Sequence, residues 1–230
     1  VSEYTKNVIM REYHIPGDKI EVIHNSFDIS LYDGLSGEND YRYLMQARRS
    51  GYKVVMYVGR LTIQKGLYNL LQAFRKVVDK APKTYLLIVG SGDQEIELLE
   101  LAAELGLSGN VLFTGFQRGK QWRDAFGVAD ITVMPSVSEP FGLTPFESAA
   151  FRVPALVSKQ SGVAEVMRTA LRVDYWDIDE MANQIVAVVQ NTDLQLQLTV
   201  DSFNEIEQLT WSDNARKFIR LYGEHAGVLT

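Results

Sequence analysis

From Glu21 almost to its end, this chain alternates short apolar runs with longer amphipathic stretches. The runs at residues 21–24, 54–58, 85–89, 111–114, 131–134, 155–158 and 171–173 are brief and mostly β-branched, as strands buried on both faces are. Between them, Leu67, Leu70, Leu71, Phe74, Val77 and Val78 recur on one helical face. Ile96, Leu98, Leu99, Leu101, Ala102 and Leu105 make a second apolar helix. Further helical patterns cover residues 4–13, 119–126, 181–189 and 212–222, whereas residues 36–50 are polar and charged and read as a surface helix or loop. The alternation predicts an α/β fold, a Rossmann-like parallel sheet flanked by helices on both faces. Ligands of such sheets bind beyond the carboxyl ends of the strands. Four predicted strands end in polar or glycine-rich text: Gly59-Arg60, Gly90-Ser91-Gly92-Asp93, Gly115-Phe116 and Pro135-Ser136.

Composition narrows the partners. The 230 residues, 46% hydrophobic and 23% charged, suffice for the core of one large domain. A net charge of -6 without a dense Lys/Arg run removes the electrostatic drive behind nucleic-acid binding, so no nucleic-acid partner is expected. The absence of cysteine excludes disulfides, thiolate catalysis and cysteine zinc sites, and agrees with a reducing compartment. His14, His24 and His225 are too scattered to read as a metal motif. The longest apolar runs, such as 85–89, fall far short of the roughly 20 residues a membrane helix needs. No signal segment opens the chain, and the expected location is cytoplasmic. The start at Val1, directly in helical text, reads as a piece of a longer protein.

Two segments carry candidate chemistry. Arg60 and Lys65 flank a loop between a predicted strand and the start of an amphipathic helix. Two cations beside a helix N-terminus suit a diphosphate, although the loop alone fits a pair of solvated charges as well. The second segment is Ser138-Glu139-Pro140-Phe141-Gly142-Leu143-Thr144-Pro145-Phe146-Glu147, two carboxylates straddling a glycine turn. Thr144 followed by Pro145 and Glu147 predicts a capping box, with a helix from Pro145 through Phe151. On that reading Glu147 either closes the cap or faces a ligand, and Glu139 is either a ligand contact or an ordinary loop carboxylate.

These residues belong to a wider pattern: 21–28, Val58-Gly59-Arg60-Leu61 with Lys65-Gly66, 87–92, Phe113-Thr114-Gly115-Phe116, Ala129-Asp130, and 134–147. Together and in this order they resemble the C-terminal lobe of retaining GT-B glycosyltransferases of the glycogen synthase and sucrose synthase type, glycosyl transferases group 1. The resemblance runs from about residue 20 to 225. It implies residues 1–19 as linker or remnant of an N-terminal lobe and 20–230 as the lobe that binds a nucleotide-diphosphate sugar, a UDP-, ADP- or GDP-sugar. By resemblance, Arg60 and Lys65 neutralise the donor diphosphate, Glu139 lies beside the donor sugar and Glu147 accepts the ribose hydroxyls. Backbone groups of Phe141, Gly142, Leu143 and Thr144 follow the sugar and phosphates, while Gly115, Phe116 and Arg118 lie near the base. No metal or other cofactor is implied as obligatory. The acceptor is a glycan or small molecule, held largely by the missing N-terminal lobe, so the isolated chain is expected to transfer little.

The chain departs from that pattern at Arg152, where the family usually has glycine, which implies a differently shaped helix end. Ser26 likewise stands where glycine is common. Two competing readings remain: a non-catalytic nucleotide-binding module that pairs with a separately encoded lobe, and an epimerase of the same two-lobed fold. The second lacks matches for its usual catalytic carboxylates and histidines.

Overall fold

The computed structural model of the protein describes residues 1–32 and 37–226, with side chains through residue 224. Its centre is a six-stranded sheet: β1 (Lys53–Val58), β2 (Thr84–Val89), β3 (Val111–Phe113), β4 (Ile131–Met134), β5 (Ala155–Ser158) and β6 (Leu171–Val173). The order is β3-β2-β1-β4-β5-β6, and every pair is parallel. The α/β expectation therefore stands. After β3 the chain returns past β2 and β1 to start β4. The loops leaving β1 and β4 diverge as a result, which opens a crevice at the centre of the sheet's carboxyl edge.

Alternate residues of each strand face opposite layers. Val55, Tyr57, Leu86, Ile88, Ile131 and Val133 pack against α3 (Leu67–Lys80), α4 (Glu95–Glu104) and α8 (Ile178–Gln190). Val54, Met56, Tyr85 and Leu87 meet α2 (Arg42–Arg49) and α5 (Gly119–Val128) on the other face. Farther along that edge, Met134, Ala155 and Val157 pack with α6 (Thr144–Ala150), α7 (Val163–Val166) and α9 (Thr192–Glu207). The predicted face of α3 is buried except Val78, which packs partly covered against the same core. In α4, Leu98 and Ala102 are buried but Ile96 and Leu99 are exposed, so its apolar face is narrower than the run implied.

Residues 21–24 do not form a strand. Ile23 is buried, but β3 and β6 are the sheet edges, and the segment is fixed instead by side chains: Asn214 donates to the His24 carbonyl at 2.6 Å. The polar segment 36–50 contains α2, anchored by the buried Leu44; Ser36 lies outside the described residues. α9 had no counterpart in the apolar pattern, although Asn191 caps it by accepting from the Leu194 amide. Two helices flank the body, α1 (Glu3–Tyr13) and α10 (Trp211–Ala226). α10 leaves Trp211, Phe218, Ile219 and Tyr222 exposed. Among the described residues no helix is long and apolar enough to cross a membrane.

Candidate functional site

The loops leaving β1, β2 and β4 meet backbone to backbone at the crevice. A Cβ on Gly90 would lie 1.8 Å from the Gly59 carbonyl oxygen, and one on Gly66 2.1 Å from that of Pro135. Gly66 also holds φ at 69°, so no other residue fits there without moving the β4 loop. The Gly59 and Leu61 amides donate to Val89 and Ser91, which fixes the path of the Arg60 loop. Tyr57, buried in β1, donates its hydroxyl to the Arg60 carbonyl at 2.7 Å. Burial, and then the nearby Glu139 charge, push its pKa far up against the opposing pull of Arg60, so Tyr57 acts as a neutral donor.

Two clefts of about 510 Å³ each open over this loop floor, and Val58, Gly59, Arg60 and Thr144 line both. The first holds Lys65, Glu139, Phe141, Gly142 and Leu143; the second holds Glu147, Phe116, Gln117 and Trp122. The structure thus brings together residues from four separate strand ends. Gly115 lies beside the second cleft, its carbonyl accepting from the Gly90 amide, and Arg118 forms the N-cap of α5; neither lines a cleft.

The two carboxylates occupy different environments. Glu139 is only 9% exposed; Lys65 Nζ reaches it at 2.5 Å, and Ser136 Oγ at 3.4 Å. Its backbone is pinned on both sides, because its amide donates to Gln160 and its carbonyl accepts from Gly162. Lys65 is therefore committed to Glu139 in this state, whereas Arg60 lies exposed at the junction of the clefts. Among the described residues Glu147 has no such cation. Its hydrogen-bond partner is Tyr32, whose hydroxyl stands 3.4 Å away, and burial raises the carboxyl pKa against that hydrogen bond. Burial and the facing Glu147 together push Tyr32 to about 12.

The predicted capping box does not form. Leu143 is the N-cap of α6, no side chain caps the helix, and Thr144 already lies inside it. Glu147 is thereby released from a capping role and projects toward the second cleft. Phe141 and Phe146 turn their rings into the core, so only the backbone of Phe141 is available to the first cleft. Arg152 adopts φ 61°, the left-handed conformation that glycine favours, with its guanidinium 3.1 Å from the Phe203 ring centroid. The departure at this position changes the residue and keeps a left-handed helix end.

Sequence reasoning missed Tyr57 and Tyr32, which position the Arg60 loop and Glu147. Their signal was weak: Tyr57 reads as one more apolar strand residue, and Tyr32 lies 115 residues from Glu147.

Residues 45–201 match the family model for glycosyl transferases group 1. A glycosyltransferase of Methanocaldococcus jannaschii is 29% identical over 96% of this chain and 58% of its own length. A D-inositol 3-phosphate glycosyltransferase of Corynebacterium jeikeium is 30% identical over 75% of the chain and 43% of its own length. The chain thus spans about half the length of these relatives. Among solved structures, Anabaena HepE in complex with UDP-glucose superposes with a TM-score of 0.82 at 21% identity, covering 97% of this chain and 62% of that one. Sucrose-phosphate synthase of Thermosynechococcus elongatus gives 0.77 at 24% identity, covering 99% and 57%. The fold is that of GT-B glycosyltransferase structures, and the chain belongs to the glycosyl transferases group 1 family.

Proposed function

We propose that this chain is the donor-binding lobe of a retaining glycosyltransferase, holding a nucleotide-diphosphate sugar across its two joined clefts. One observation carries the reading: two carboxylate-bearing clefts share a cationic junction at the switch point of a parallel sheet. A carboxylate accepts hydrogen bonds from hydroxyls, and a guanidinium donates to phosphate oxygens. The ligand that fits has hydroxyls at both ends and a diphosphate between them. The donor sugar lies against Glu139, the diphosphate at Arg60, Gly59 and Thr144, and the ribose against Glu147, with the base toward Phe116 and Trp122. Phe116, 70% exposed, offers a ring face on which a base can stack.

In the reaction, charge develops on the departing diphosphate, and Arg60 and Lys65 meet it in a partly dry cleft. Lys65 lines the cleft beside Arg60 and pairs its ammonium with Glu139, so meeting the diphosphate draws on a cation already held in place there. We place the acceptor, a glycan or small molecule, on a lobe outside these residues, and glucose from UDP or ADP as the transferred group. HepE, of the same fold, was solved with UDP-glucose. Calorimetric titration with UDP, ADP and GDP and with the matching nucleosides tests the reading. Diphosphates should bind measurably tighter than nucleosides; equal affinity would remove the role given to Arg60. Transfer by these 230 residues alone should be negligible, and robust turnover would overturn that part.

A further inference from the structure

Helix α1 contributes no buried residue to the core, yet its first turn is held by an unusually dense set of polar bonds. The Glu165 carboxylate accepts from the Glu3 amide at 2.8 Å through Oε2 and from the Tyr4 amide at 2.6 Å through Oε1. Its Oε2 also bonds His24 Nε2 at 2.8 Å. Free N–H groups of a helix start are thus satisfied from 161 residues away rather than by solvent alone. The opposite side of the same turn grips the loop that carries Glu139. Ser2 Oγ donates to the Pro140 carbonyl at 2.6 Å, Thr5 Oγ1 donates to it at 3.2 Å, and the Tyr4 hydroxyl bonds Ser138 Oγ at 3.0 Å. Ser2 is 1% exposed, and a Cβ on Gly162 would lie 2.5 Å from the Ser2 Cβ, so the contact has no slack.

The three elements form a closed circuit. Glu165 is in α7; the Gly162 amide just before α7 donates to the Glu139 carbonyl, and the Val163 amide to that of Phe141. Residues 138–141 are therefore held from one side by the start of α7 and from the other by α1, and Glu165 ties α1 to α7. We propose that Glu165 is a positioning residue for Glu139: by fixing the first turn of α1 it holds Ser138 and Pro140, and with them the carboxylate aimed into the first cleft. Glu165 itself touches no part of the cleft.

This rests on the reading of Glu139 as the sugar contact, and its test separates the two. Affinities of the 230-residue chain for UDP and UDP-glucose are measured for the parent, Glu139→Gln, Glu165→Ala, Glu165→Gln and the Glu139→Gln/Glu165→Ala double variant. Glu165→Ala should weaken UDP-glucose about fivefold while leaving UDP within about twofold, and the double variant should lose no more than Glu139→Gln alone. Glu165→Gln, which keeps one oxygen for a backbone amide, should restore part of the difference. A loss equal for both ligands, or none, while Glu139→Gln still removes the sugar's contribution, would overturn the proposal. If Glu139→Gln leaves that contribution intact, the sugar assignment fails. The positioning claim is then decided by hydrogen exchange of peptides covering 138–142 and 160–164 without ligand. Faster exchange there in Glu165→Ala, with β1 and β2 unchanged, supports it; an unchanged rate refutes it.

Discussion

Glu139 and Glu147 are separated by seven residues, on either side of the Gly142 turn, yet the fold treats them oppositely. Glu139 is buried with its own cation, Lys65, and with backbone bonds on either side of it. Glu147 is half-buried beside a tyrosine hydroxyl, and its carboxyl rises in pKa because the loss of solvent outweighs that bond. A paired carboxylate is set in place before any ligand arrives. A carboxylate without a cation costs stability as it ionises, and hydroxyl donors from a ligand relieve that cost. The difference separates a carboxylate held in place by its own cation from one whose charge is opposed by its surroundings.

The largest effect should come from breaking the pair. Lys65→Ala leaves the mostly buried Glu139 carboxylate without its cation, and should lower unfolding free energy by about 3 kcal/mol in urea denaturation. Lys65→Ala combined with Glu139→Gln should recover most of that loss, because no uncompensated charge remains. Additive losses would show that the pair is not what holds this loop.

Glu147→Gln should do the reverse and raise the urea midpoint at neutral pH. The sign follows from linkage: the folded carboxyl has the raised pKa, so its contribution to stability is complete below the unfolded value and is lost as pH rises through the folded one. The gain from Glu147→Gln should therefore vanish in acid and appear as pH increases. A gain independent of pH would assign it to packing instead. Smallest of all, Tyr32→Phe should extend the pH range over which stability is lost, since the tyrosine hydroxyl favours the charged form. In the Glu147→Gln background Tyr32→Phe should leave the pH profile of stability unchanged.

Most of the sheet was legible because buried parallel strands and their crossover helices carry strong local signals. β5 and β6 fell at the predicted bounds, and α3 buried nearly the face that its spacing implied. Residues 21–24 misled because an extended apolar segment looks like a strand whether or not a sheet edge is free for it. α9 was missed because Leu194, Leu198 and Ile206, which turn toward the core, are diluted by polar residues on a largely exposed helix. In the site, Arg60, Lys65, Glu139 and Glu147 were recognisable as chemistry-bearing types near strand ends. Their pairing was not, since Lys65 and Glu139 are 74 residues apart and only the strand order brings β1 and β4 together. The capping box failed for a local reason: the turn at Gly142 starts the helix one residue early, at Thr144, so its side chain is no longer in the capping position.

The central claim, that a nucleotide diphosphate runs from the Arg60 junction into the second cleft with its ribose on Glu147, is tested most directly by calorimetric titration of the best-binding nucleotide against the parent chain, Arg60→Ala and Glu147→Ala. Each variant should bind at least about tenfold more weakly, the loss of a charge-assisted hydrogen bond. If both variants bind as tightly as the parent, the nucleotide does not occupy these clefts and the account is wrong.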